Sequence, residues 1–180
     1  MIESKVIAET TAWIKSVVIG CHFCPFAAKA LQGKTIHFHV AEDATPNSAL
    51  VSLLDQLQYL DTQSSIETTL IIFPDQFSDF QVYLTLVSSA EKLLKRHHYV
   101  GTYQIASFHP EYCFAGSDEN DPANYTNRSI YPMLHILREE SITNALKHYT
   151  DPEGIPQRNI EFARAKGLLF MQELRMKSEK

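Results

Sequence analysis

Three short apolar runs of strand character, each separated from the next by a helical pattern, constrain this chain more than any other feature. "KTIHFHVA" (34–41) alternates Ile36, Phe38 and Val40 against His37 and His39, the period of a half-buried strand. "IETTLIIF" (66–73), ending in the apolar run Leu70–Phe73, reads as a buried strand. "YVGTYQIASF" (99–108) is the third. Between them, residues 46–60 carry Leu50, Leu53, Leu54 and Leu57 at helical spacing. Residues 77–97 place Phe80, Tyr83, Leu84, Val87, Ala90 and Leu94 on one stripe. Strand, helix, strand, helix, strand predicts a three-stranded parallel βαβαβ sheet of the α/β class, because a crossover helix returns the chain to the same edge.

The flanks read as helices that cover this sheet. Val6, Ile7, Trp13, Ile14, Val17 and Val18 recur at helical spacing over residues 3–19, with Gly20 as the stop. Pro25 suits the start of a short second helix ending near Gly33. After an irregular stretch at 109–131, a helix is predicted from about Pro132, and further helical segments punctuated by Pro152, Pro156 and Gly167 fill the C-terminal portion. The chain has 180 residues, 44% of them hydrophobic, which suits one globular domain spanning 1–180 with a substantial core. The net charge is −5 and the basic residues are scattered, so no nucleic-acid partner is expected. No apolar run is long enough to span a membrane, and the N-terminus lacks a secretory core. Three cysteines, an odd number, fit a reducing cytoplasm better than a disulfide framework.

In an open parallel sheet, ligands collect beyond the carboxyl ends of the strands. That places Asp75, after the second strand, beside His109, after the third. Cys24 joins them if the helix after it begins at the same edge. At a helix start, backbone N–H groups and the helix dipole favour a thiolate, so Cys24 is a candidate nucleophile, with His22 beside it as a further charge or base. The ordinary alternative is a small buried residue between Phe23 and Phe26. Cys21 and Cys24 also form a C-x-x-C pair, but the proline follows the pair instead of lying inside it, as it does in thioredoxin-like proteins. A zinc set of Cys21, Cys24, His109 and Cys113 lacks a second ligand pair at standard spacing, so no metal is assigned. The loop supplies Tyr112, Asn124, Tyr125, Asn127 and Arg128 as candidate ligand-binding groups, with Arg128 and Asn127 suited to an anion. On the helix expected after Pro132, His135, Arg138 and Glu139 share the polar side, either as a solvated face or looking into the site.

"CPFA" (24–27), "ASFHPEYCFAG" (106–116) and "NYTNRSIYPMLHILRE" (124–139), together with "SVVIG" before the cysteine and "RNI" at 158–160, resemble an uncharacterised, mainly bacterial family known only as a domain of unknown function. The resemblance covers nearly the whole chain and implies no substrate or cofactor. Its motif is built around Cys24. A cysteine three positions earlier is not a required part of it, so Cys21 is a departure that weakens the dithiol and zinc readings.

The leading expectation is a pocket for a small, anionic molecule, with a cysteine-dependent hydrolase or transferase chemistry. Cys24 would be the nucleophile and His109 the acid or base, oriented by Asp75 or Glu111. Arg128 and Asn127 would hold the anion, with His135 and Arg138 in reserve. The competing expectations are a non-catalytic binding protein, a metal protein and a thioredoxin-like redox protein. Cofactor, substrate and oligomeric state are not specified by the sequence.

Overall fold

The computed structural model describes residues 2–147 and 149–178. The N-terminal helix α1 (Ile2–Trp13) runs without a break into a wider π-helical segment, Ile14–Ile19. It stops at Gly20, where a Cβ would lie 2.2 Å from the Ser16 carbonyl oxygen, so only glycine fits. Then follow α2 (Ala27–Gly33), β1 (Ile36–Val40), α3 (Pro46–Thr62), β2 (Thr68–Ile72), α4 (Phe80–Arg96) and β3 (Tyr103–Phe108). The chain ends with β4 (Met133–Arg138), α5 (Glu139–Leu146), α6 (Ile155–Lys166) and α7 (Leu168–Met176).

The three expected strands and the two crossover helices are present. Thr45 caps α3 reciprocally with Ser48: the Ser48 N–H donates to Thr45 Oγ1 at 3.2 Å and the Thr45 N–H to Ser48 Oγ at 2.8 Å. Asp79 caps α4, accepting from the N–H groups of Gln81 and Val82.

The three-stranded parallel sheet is corrected to a four-stranded mixed one, in the order β1-β2-β4-β3. β1 and β2 pair in parallel, whereas β4 runs antiparallel to both β2 and β3 and separates them. The segment expected as a helix from Pro132 is this central strand. Its alternation is hidden because both faces are covered. Leu134 and Ile136 face one core cluster and Met133 the other. A strand covered on both sides need not alternate, and over six residues in which His135 and Arg138 lie three apart the pattern fits a helix as well as a strand.

Helices cover both faces. Leu53, Leu57 and Leu60 of α3 and Tyr83, Leu86 and Ala90 of α4 pack against Ile71, Leu134 and Ile136. α1, its π-helical extension, α6 and α7 cover Leu70, Ile72 and Met133 through Val6, Trp13, Val17, Ala163 and Met171. Each fully buried leucine contributes about 1.5–3 kcal/mol, so these two layers fix the sheet and the position of its edges.

Among the described residues, no helix is long and apolar enough to cross a membrane.

Candidate functional site

β1, β2 and β3 run in one direction and end at a common edge, where β4 begins. The loop between β3 and β4 covers that edge and is built from its own polar side chains. Asn124, fully buried, is the hub. Its Oδ1 accepts from the Phe114 N–H at 3.0 Å and Ser117 Oγ at 2.9 Å, and its Nδ2 donates to the Asp118 carbonyl at 2.9 Å. Arg128 ties the two arms of the loop together: Nε donates to the Tyr112 carbonyl at 2.9 Å and Nη2 to the Glu119 carbonyl at 2.8 Å. Its guanidinium lies 4.8 Å above the ring of buried Tyr125. From below, Trp13 Nε1 donates to the Arg128 carbonyl at 3.1 Å. Asn127 faces the sheet, with Nδ2 donating to the Ser107 carbonyl at 3.1 Å and Oδ1 accepting from Thr126 Oγ1.

His109 is fully buried, and both ring nitrogens are engaged by backbone. Nδ1 accepts from the Glu111 N–H at 3.0 Å, so the proton sits on Nε2, which donates to the Phe77 carbonyl at 2.8 Å. Its own N–H and C=O meet the Asn127 carbonyl and the Ser129 N–H. Burial holds the ring below the usual histidine pKa, and the Glu111 and Asp79 charges oppose that shift only in part. His109 therefore pins the β2–α4 loop to the β3–β4 loop as a neutral ring, with no nitrogen left over for a substrate. Asp75 is exposed. The carboxylates that influence His109 are Glu111 and Asp79, so the expected Asp75–His109 relay is absent.

Above this loop opens a groove of about 800 Å³, bounded by the first turn of α4, residues 110–117, Glu119 and Arg128. Phe80, Tyr112 and Phe114 form an aromatic wall, with ring centroids 5.4 Å apart for Phe80–Tyr112 and 5.0 Å for Tyr112–Phe114. Cys113 is also in the lining, its sulfur 3.8 Å from Asn124 Nδ2. Of the expected ligand-binding residues, Tyr112 and Arg128 reach the groove, while Asn124, Tyr125 and Asn127 support it from beneath. Phe80, Leu84, Phe114 and Ser117 also line it without having been expected to, and Cys113 was considered only as a zinc ligand. Phe80 and Leu84 belong to a helical stripe that looks like core, and the other three carry no pattern that marks a groove.

Cys24 lies elsewhere. Pro25 and Phe26, which follow it, line a separate cavity of about 460 Å³ with Glu67, Thr68, Leu137 and Arg138, at the opposite, amino end of β2, and with the inner side of α5. The N–H groups of Phe26 and Ala27 do point at the Cys24 sulfur, as a helix start should provide, but burial outweighs them and raises the thiol pKa. Cys21 is buried and raised for the same reason, and His22 is exposed in a left-handed turn (φ 56°). Among the described residues no three His, Cys, Asp or Glu side chains are grouped to hold a metal ion, so Cys21, Cys24, His109 and Cys113 do not form one site.

His135 and Arg138, expected together on a helix, face opposite sides of β4. Thr68 Oγ1 donates its one proton to the Ile136 carbonyl at 2.6 Å. His135 Nε2, 2.5 Å away, must therefore be the donor to Thr68, and burial pushes its pKa down to about 4. Arg138 donates to the carbonyls of Leu60, Gln63 and Ile66 and to the Tyr103 hydroxyl, closing the end of α3. Both are consumed by the fold.

The model of a family described as a protein of unknown function (DUF1415) matches residues 5–173. No curated protein and no solved structure matches the chain.

Proposed function

The chain belongs to this family of unknown function, which brings no activity with it, and we propose from the site alone that the protein binds a small molecule in the groove between α4 and the β3–β4 loop. The reading is one of binding without covalent chemistry through Cys24. Its main support is the state of His109: a fully buried ring whose two nitrogens are both spent on backbone. Nucleophilic catalysis needs a base within hydrogen-bond reach of the nucleophile. Pro25 and Phe26, which follow Cys24, line a different cavity, at the other end of the sheet.

The groove supports the binding reading in size, place and lining. About 800 Å³ suits a drug-sized or metabolite-sized molecule. It opens at the carboxyl edge of the strands, where α/β sheets collect ligands. Its walls combine aromatic rings with a few fixed polar groups, held by side chains that have no other visible task. Asn124 alone satisfies three backbone or hydroxyl groups of the loop.

The test is a protein-detected NMR screen of a mixed small-molecule library, with Leu84→Trp as a blocking variant. Leu84 lines the groove and is partly exposed, so the larger ring fills space without disturbing the core. Binders should shift amides of residues 111–117 and lose affinity at least tenfold in the variant. Binders that map instead to Pro25, Phe26 and α5, or that are indifferent to Leu84→Trp, overturn the reading.

A further inference from the structure

Given that reading of the groove, on which this inference rests, we infer that its ligand is a planar ring bearing a single carboxylate, gripped by the free fork of Arg128. A guanidinium presents two edges, each with two parallel donors. The Nε/Nη2 edge of Arg128 is occupied, one donor to the Tyr112 carbonyl at 2.9 Å and one to the Glu119 carbonyl at 2.8 Å. The other edge, Nη1 with the second Nη2 hydrogen, has no protein partner among the described residues, and Arg128 lines the groove.

Its charge is equally uncompensated. Among the described residues Arg128 makes no ion pair; the ion pairs found there join Lys5 to Glu9, Arg158 to Asp151 and Arg164 to Asp121. Arg128 is only partly exposed, and two carbonyls and the face of Tyr125 carry partial charge alone. A half-buried cation of this kind is completed by an anion, and the two-pronged edge matches a carboxylate in geometry as well as charge.

Glu111 and Glu119 also border the groove. Both are exposed, so solvent and salt screen them and they do not cancel a direct contact to Arg128. Arg128 is the one cation in the described lining, so a second negative charge finds no partner there. That favours a monoanion over a phosphate monoester. The aromatic wall sets the rest of the molecule, since offset or edge-to-face packing on Phe80, Tyr112 and Phe114 suits a flat ring.

The test uses the wild-type protein and a matched series of probes: benzoate, benzamide, benzylamine and phenyl phosphate, titrated into the 15N-labelled protein while the amides of 112–117 and the Arg128 side chain are followed. Such small probes bind at millimolar concentration. Benzoate should bind the groove about tenfold more tightly than benzamide, the factor of one charge-assisted contact. Phenyl phosphate should be weaker than benzoate, and benzylamine should not compete. Arg128→Lys, which keeps the charge and loses the fork, should erase most of the preference for benzoate over benzamide. Equal binding of all four probes, or a lead for benzylamine or phenyl phosphate, overturns the ligand class and leaves the groove as a binding site. Silence of the groove toward every probe overturns both. Because the series is run on the unaltered protein, the result does not depend on whether the Arg128 variant keeps its loop.

Discussion

The Tyr83 hydroxyl does the work of a backbone group, and removing it should cost far more than a lone hydroxyl usually does. Tyr83 on α4 is fully buried. Its oxygen accepts from the Phe108 N–H at 3.0 Å, and its proton goes to the Met133 carbonyl at 2.7 Å. Phe108 and Met133 face each other across the β3–β4 ladder, so the hydroxyl is inserted between the last pair of that ladder. Tyr83→Phe keeps the ring and nearly all the buried area, but leaves one buried donor and one buried acceptor unpaired. Each costs about 1–3 kcal/mol, so the expected loss for the two is about 2–6 kcal/mol. In a chain of this size that lowers the melting temperature by about 2–4 °C for each kcal/mol. Urea unfolding, followed by circular dichroism, reads the change as a lower midpoint with an unchanged slope. The amides of Phe108 and His109 should also lose hydrogen-exchange protection. A loss under about 0.5 kcal/mol, within the range of ordinary surface changes, would refute the reasoning, because it means the strands close up and Phe108 bonds directly to Met133.

Two further outcomes follow from the buried titratable groups. His135 has its pKa lowered from 6.5 to about 4 in the fold. Between those values the unfolded chain holds a proton that the native state does not, so stability is complete above about pH 6.5 and is lost as the pH falls toward 4. One unit is worth about 1.4 kcal/mol, and the ring is not wholly sealed from solvent, so the contribution is about 1–3 kcal/mol. Urea midpoints at pH 7 and pH 4.5 should therefore lie closer together in His135→Leu than in the wild type. Parallel losses in the two proteins would assign the effect elsewhere, since His37, His39 and His109 are lowered by burial in both. For Cys24, the alkylation rate against pH, read by peptide mass, should show a midpoint above the ordinary thiol range, with reaction speeding up on unfolding. A midpoint well below about 8.5, the value of a free thiol, would return Cys24 to the role of an activated nucleophile.

What the sequence made legible depends on whether a side chain's surroundings are local. The α3 and α4 stripes, the period-2 strand at 36–40 and the stop at Gly20 are set by neighbours within a turn or two, and all were readable. β4 was not, because its strand character lies in what covers it on both faces, far away in the chain. That one error moved His135 and Arg138 from a shared helix side to opposite sheet faces. The loop 109–131 stands out by its composition, and Tyr112 and Arg128 lie in the lining of the groove. But a polar side chain that builds a loop and one that binds a ligand look the same in sequence. Asn124, Asn127 and His109 turned out to be satisfied by backbone. Cys24 was misplaced for a topological reason. The short α2 leads into β1 from the amino end of the sheet, where Pro25 and Phe26 meet Thr68 and Arg138, instead of starting at the carboxyl edge.

The position of β4 also sets the order in which the molecule can be completed as it is synthesised. The central strand comes after β1, β2 and β3, and until it is made β2 and β3, which never touch each other in the sheet, are joined through the helices α3 and α4 and not by strand pairing. A growing chain that has reached Phe108 carries two strands with open edges and a helix, α4, with half its floor missing, because Leu134 and Ile136 do not yet exist. Unpaired strand edges are what other chains recruit. The nascent protein is therefore most exposed to association and to chaperones late in translation. Its cooperative unit closes only when the segment through Arg138 is free to slot between its two neighbours. Any chain that ends before Met133 lacks the strand on which both core layers rest.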